Sequence, residues 1–559
     1  MKKLLSVLMA VLMMTTCFSA ALADAGSEPD WTEYNALIAQ IKAETDYAAR
    51  EALMHQAEDI VMNTGCLLPI YYYNDLFMMK PNVKGFYANV YGTKFFTYAT
   101  NGDSTTLKLQ LASEPDKLDP ALNTTVDGAS LAANSFAGLY TYDETGHQVP
   151  NLAESYTVSE DGLTYTFTMK DGLKWSNGDP LTAKDMEYSW KRAAAPDTAA
   201  DYSYMFNGIE GYPEDLNVKA SEDGKTFTVK LSAPCAYFLD LAAFPTFFAV
   251  HQATVEGAEG YKNEDGTIAN PGAWALEAGF VSCGPYMLES WAHNESMVYV
   301  KNPNYWDAAN VKLERLEFML SADDTAVYSA YQSGDLDFID TVPNDEIQNL
   351  LDNPEFYVVD QLGTYYVCFN VKSHLFDGKT VEQANAMRQA FSALVDRQYI
   401  IDTVAQTGQK IATSFVPAGM ADGNGGVFKT NDEFYTFPVN DGYYGEEPDV
   451  DAAIELLKSA GYEFDANNML SASTPITFEY LTNTATSHQA IAECIQQDLA
   501  VIGINMTIKS VDWNVFLNER KAGNYDIARN GWLADFNDPI NFLEMWETDS
   551  GNNDVQFGR

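Results

Sequence analysis

The chain has 559 residues, of which 79 are Asp or Glu and only 33 are Lys or Arg, a formal net charge of −46. A surface this negative repels nucleic acid and anionic lipid headgroups, which excludes both as partners. Hydrophobic residues make up 46% of the chain, enough for two or three lobes with cores of their own.

Lys2 and Lys3, an apolar run over 4–14 and the small-residue step Ala21-Leu22-Ala23 have the layout of a secretory signal peptide, with cleavage expected after Ala23. Cys17 opens the alternative of lipoprotein processing. No later stretch approaches the ~20 consecutive apolar residues of a spanning helix. The expectation is an exported protein of the periplasm or the outer face of the membrane, free or lipid-anchored.

Residues 31–62 read as helical by composition, through Tyr34, Leu37, Ile38 and Ile41 and then 48–62, and 69–73 and 95–98 as short strands. In 151–192, "NLAESYTVSEDGLTYTFTMKDGLKWSNGDPLTAKDMEYSWKR", Leu163, Tyr165, Phe167 and Met169 alternate with threonines, which predicts a half-buried strand between two Asp-Gly turns. Thr182 is placed to cap a helix starting near Ala183. The segment 221–231, "SEDGKTFTVKL", echoes the same turn and alternation, which predicts a paired hairpin strand. Farther on, "VDAAIELLKSAGYEF" predicts a helix ended by Gly461. The strand 475–483, the helix 487–502 and the strand 504–513 form a βαβ unit, and with it a partly parallel sheet.

Five cysteines follow the leader, Cys66, Cys235, Cys283, Cys368 and Cys494, scattered and without a C-x-x-C, so each reads as a small buried apolar residue. The six histidines show no metal-ligand spacing, and no nucleophile elbow or phosphate loop is present. No cofactor, metal or catalytic residue is expected. The loop "ADGNGGVFKTNDE" breaks the calcium-loop order and reads as a plain loop. The informative stretch is 527–543, "IARNGWLADFNDPINFL". Asp535 there is either a solvated turn residue or a lone carboxylate facing a cleft, which an incoming ammonium group would neutralise.

These segments, together with "GPYMLESWAHNESMVYVKNPNYWD" and "GWLADFNDP", resemble the extracellular solute-binding proteins of oligopeptide and dipeptide ABC importers (family 5). The resemblance spans essentially the whole chain beyond the leader. It implies an α/β fold: a two-lobed periplasmic-binding-protein clamshell of type II, joined by a two-stranded hinge and carrying an extra β-rich domain. It implies a non-enzymatic receptor that captures a short peptide and delivers it to the permease and ATPase of an importer, acting as a monomer. It implies that Asp535 holds the peptide's amino terminus, that Gly531, Trp532 and Leu533 supply its surroundings, and that Arg529 meets a carboxyl terminus. Ala137 and Leu139, within "NSFAGLY", match a stretch lining the opposite side, and Tyr73 and Tyr204 are aromatic candidates. Side-chain pockets in such proteins are roomy and wet, which implies modest sequence preference. A different solute on the same fold (a nickel chelate, a haem or an oligosaccharide) and a secreted hydrolase are the rival readings.

The segment order departs from the family's. The run resembling the family's closing segment, 30–100, precedes "SEPDKLDP", which resembles its opening, and the chain stops at "TDSGNNDVQFGR", where "WTEY" would normally follow. This is the signature of a circular permutation; a misjoined gene and an exchange of 30–100 between two copies give the same order. The resulting expectation is a leader 1–23, a segment 24–75 completing lobe II, lobe I at 76–147 and 268–365, the extra domain at 148–267, and lobe II at 366–559. Asp30 should lie near Arg559, and 95–98 should share a sheet with 106–111.

Overall fold

The computed structural model describes residues 26–432 and 435–559. The expected leader, its cleavage after Ala23 and Cys17 lie outside the described residues. Along the chain come helices α1 (Thr32–Ala43) and α2 (Tyr47–Asn63), strands β1 (Leu67–Met79) and β2 (Thr106–Leu111), and helices α3 (Val126–Ser135) and α4 (Ala183–Ala194). Strands β3 (Tyr286–Ala292), β4 (Ser296–Lys301), β5 (Arg315–Leu320), β6 (Phe338–Ile339) and β7 (Phe356–Phe369) follow. Helix α5 (Val381–Leu394), strand β8 (Lys410–Ile411), helix α6 (Val450–Ser459), strand β9 (Thr477–Asn483), helix α7 (Thr486–Ala500), strand β10 (Asn505–Val511), helix α8 (Trp513–Lys521) and strand β11 (Ile527–Leu533) complete the frame.

One eleven-stranded sheet runs through the molecule in the order β3-β4-β5-β2-β6-β1-β7-β11-β9-β10, with β8 added on β1. The long antiparallel strands β1 and β7 join its halves. Leu68, Ile70 and Tyr71 of β1 pack in one core with Tyr365, Val367 and Phe369 of β7 and with α5, α6 and α7. Phe77, farther along β1, belongs to another core with Leu107, Leu109 and Tyr286. The pairing slips between Pro69 and Tyr71 and again between Tyr72 and Asn74. Such irregularities bend a strand pair, and the second falls between the residues of the first core and those of the next.

The alternating segments behave as their spacing predicts. Thr164–Met169 pairs antiparallel with Thr226–Lys230, Phe167 opposite Phe227, in a separate four-stranded sheet. Thr182 and Asp185 form a reciprocal cap on α4, a feature that contributes about 1 kcal/mol. β9 and β10 are parallel, Thr477 opposite Asn505, with α7 as the crossover, and Gly461 takes a left-handed φ of +90° just beyond α6. Cys66, Cys283 and Cys368 are buried, and Cys235 and Cys494 half-buried.

The stretch 31–62 is helical as expected, in two pieces broken at 44–46, where Asp46 accepts a hydrogen bond from the Ala49 N–H and starts α2. One expectation is corrected. Lys94–Phe95 does not join the sheet of β2; it pairs with Tyr87–Ala88 in a ribbon of its own. The reason is local: the Lys94 and Phe96 N–H groups donate to Ser130 Oγ and Asn134 Oδ1 of α3, so helix side chains take the bonds a neighbouring strand would have made. Phe96 still shares a core with Leu107 and Leu109. At the chain ends, the Trp31 ring stacks on Phe557 with centroids 3.8 Å apart, and its Nε1 donates to the Trp546 carbonyl at 2.7 Å.

Candidate functional site

β11 sets the site. It lies antiparallel to β7, Gly531 opposite Tyr365 and Leu533 opposite Gly363. Strand alternation sends Asn530 and Trp532 to one face and Arg529, Gly531 and Leu533 to the other. After Leu533 the chain turns, with Ala534 N–H donating to the Leu362 carbonyl. Asp535 follows at the wall of a cavity of about 90 Å³. Residues 531–535 line one side of it, 123–133 another, and Asn89, Tyr91, Tyr142, Tyr202 and Phe244 much of the rest.

The Asp535 side chain is 9% exposed. Asn541 Nδ2 donates to its Oδ2 at 2.8 Å and the Tyr202 hydroxyl to its Oδ1 at 3.2 Å. Asn541 also accepts from the Asp535 N–H at 2.9 Å and from Trp532 Nε1 at 3.1 Å, so one buried amide aims both the carboxylate and the indole. Among the described residues no lysine, arginine or histidine forms an ion pair with Asp535. Burial pushes its carboxyl up to about 7, against the pull of the two neutral donors.

Arg529, on the same strand, is a buried cation without a carboxylate partner among the described residues. Its guanidinium lies 5.2 Å from the Trp513 ring and 5.0 Å from that of Phe516, and its Nε has no hydrogen-bond partner. Tyr365 and His488 stand nearby, His488 Nδ1 lying 3.3 Å from the Tyr365 hydroxyl. Burial, and then the Arg529 charge, hold the His488 imidazole neutral, far below its usual range.

The other candidates divide. Gly531, Trp532 and Leu533 line the cavity. Tyr73 does not, but its hydroxyl rests against Gly531 so closely that a Cβ there would come within 2.2 Å of it. Tyr204 is buried away from the cavity, its hydroxyl accepting from Asn552 Nδ2 at 3.3 Å. Ala137 and Leu139 are a correction: they are 1% and 0% exposed, packed inside a core. Their apolar pattern was that of core residues, and the polar run Asn123-Thr124-Thr125 before α3 takes the place expected of them. That run gives one sequence signal, Thr125, which caps α3 by accepting from the Gly128 N–H. Asn89 and Tyr91 lie in irregular backbone and gave none.

Beyond the cavity, the turn 201–204 below the four-stranded sheet meets the end of the other half. Asp201 pairs with Lys521 of α8 at 2.6 Å, and Tyr237 stacks on Phe536 at 4.2 Å. Gly551 lies under Asp201; a Cβ on it would stand 2.3 Å from the Asp201 Cα. The structure is therefore closed over the cavity.

Residues 147–554 match the family model described as bacterial extracellular solute-binding proteins, family 5 Middle. The chain belongs to this family. Its members are solute-binding proteins of transporters, not enzymes, and their fold is the two-lobed clamshell. The chain is 32% identical to the oligopeptide-binding protein OppA of Bacillus subtilis over 81% of its own length and 79% of that protein's. It is also 32% identical to the dipeptide-binding protein DppE of the same organism, over 79% and 76%. Among solved structures, Listeria monocytogenes OppA bound to peptide aligns with a TM-score of 0.69 at 28% identity, covering 81% of this chain and 86% of that one. Haemophilus influenzae OppA in complex with the peptide RPPGFSPFR gives 0.69 at 27%, covering 81% and 85%. Among the described residues no helix is long and apolar enough to cross a membrane.

Proposed function

We propose that this family 5 protein is an exported receptor that captures short peptides between its lobes and presents them to the permease and ATPase of an ABC importer. The observation that carries the reading is a pair of unanswered charges, one on β11 and one just past its end. Asp535 is a buried carboxylate without a cation, and Arg529 a buried cation without a carboxylate. A buried charge needs a partner, and a zwitterionic peptide supplies both. The strand from Arg529 to Leu533 covers about 13 Å at ~3.3 Å per residue, the reach of an extended peptide of about four residues. Tyr73 and Gly531 border that path. Trp532 and Leu533 frame the ammonium end, and main-chain bonds along β11 provide affinity in the manner of an added strand. The test is calorimetry with the purified protein: peptides with a free amino terminus bind, and their N-acetylated forms bind at least about tenfold more weakly. Equal affinities would remove Asp535 from the proposed role.

We propose further that the chain carries the leader 1–23, acts as a monomer, and has its segments in permuted order. The lobes then divide as 24–75 with 366–559, and 76–147 with 268–365, the extra domain being 148–267. The stacking of Trp31 on Phe557 and the seating of β1 between β6 and β7 support this order. A reordered gene, with 101–559 followed by 30–100, should give a monomer of equal melting temperature and peptide affinity. Failure of that variant to fold, or a dimer formed by the protein in its own order, would count against it.

A further inference from the structure

Resting on that reading, we infer that the cavity beside Asp535 selects peptides whose first side chain is small and uncharged, and rejects an acidic one. An ammonium held by Asp535 brings the first residue's side chain against the cavity wall. That wall is largely carbon: Val126, Ala129, Phe244, Phe248 and Leu533 contribute to it.

Several of the polar groups in it are already engaged. Asn89 Oδ1 accepts from the Thr93 N–H at 2.9 Å, and Asn123 Oδ1 from the Thr125 N–H at 3.1 Å, so both amides are turned onto their own loops. The Tyr142 hydroxyl donates to Asp240 at 2.8 Å. Asp535 is the only acidic or basic side chain among the described residues that line the cavity.

Lys94, between two lining residues, is no substitute. Thr93 and Phe95 face the cavity, but Lys94 between them points the other way, 3.1 Å from Asp75 and 3.3 Å from Asp340. A carboxylate carried in by the first residue therefore finds no cation, and burying it unpaired is costly. The rings of Phe244 and Phe248 and the side chains of Val126 and Leu533 narrow the space, which also disfavours a large ring. The preference at this position is thus sharper than the modest selectivity that roomy, wet pockets give.

Calorimetry on the full protein with Ala-Ala-Ala, Val-Ala-Ala, Glu-Ala-Ala and Trp-Ala-Ala tests this. The expectation is comparable affinity for the first two, a loss of about a hundredfold for Glu-Ala-Ala and of about tenfold for Trp-Ala-Ala. Phe244→Ala should recover most of the tryptophan loss and none of the glutamate loss. Binding of Glu-Ala-Ala within about threefold of Ala-Ala-Ala overturns the inference and leaves the peptide reading intact. A protein that binds none of the four overturns both.

Discussion

Replacing Asp535 by asparagine removes the charge and keeps the shape. A hydrogen bond to a charged group contributes about 1.5–3 kcal/mol, so Asp535→Asn should weaken a peptide with a free amino terminus by about tenfold to a hundredfold. The structure adds a second cost. Tyr202 and Asn541 both donate to the carboxylate, and an amide offers only one acceptor oxygen, so one buried donor loses its partner. That loss falls on the closed form with or without an ammonium, and therefore weakens every ligand alike. The two costs separate in a cycle: wild type and Asp535→Asn, each titrated calorimetrically with a tripeptide and its N-acetyl form. The penalty for acetylation should be large in wild type and nearly vanish in the variant. An unchanged penalty would refute the assignment of the ammonium to Asp535.

With its carboxyl raised by burial to about 7, Asp535 must lose a proton to hold an ammonium, so affinity should fall about tenfold between pH 8 and pH 6. Calorimetry below pH 7 in buffers of different ionisation enthalpy should register the released proton. Asp535 and Glu58 are both raised by burial to about 7, so the native state holds protons that the unfolded chain, titrating near 4, gives up. Between pH 4 and 7 stability therefore falls as pH rises, and melting temperature should increase from pH 8 to pH 6, each group contributing on the order of 1 kcal/mol. A melting temperature that falls over this range would contradict that sign. Gly551→Val should obstruct the Asp201 contact and leave the protein folded but open, with peptide affinity down at least about tenfold and a larger radius of gyration in X-ray scattering. Lys521→Gln breaks a half-exposed ion pair and should cost at most about fivefold in affinity, less in high salt.

Much of the frame was legible because it rests on local periodicity. The alternation in 163–169 and 226–230 identified two strands that pair with each other, Thr182 marked the start of α4, and the βαβ unit at 477–511 is parallel as its spacing requires. The carboxylate of the site was visible as a charged residue amid apolar ones. Its neighbours were not, because Asn89, Tyr91 and Asn123 sit in irregular backbone, where position comes from tertiary packing and no period records it. Ala137 and Leu139 show the converse: small apolar residues matching a binding stretch read the same whether they line a cavity or fill a core. The pairing of Lys94–Phe95 was missed because the polar side chains of α3 took over its backbone bonds.

The place of β1 in the sheet bears on how the molecule is made. Thr64, just before this strand, is bonded to Arg388, 324 residues away, and Pro69 within it to Arg397, 328 residues away. A ribosome therefore releases the central strand first and its partners only after more than half of the remaining sequence has been synthesised. Until then an apolar strand with both edges bare has nothing to pair with, and such segments self-associate. Chaperones that keep the nascent polypeptide unfolded, and translocation as a threaded strand, would carry the molecule through that interval, so its centre closes late, after the flanking units have formed.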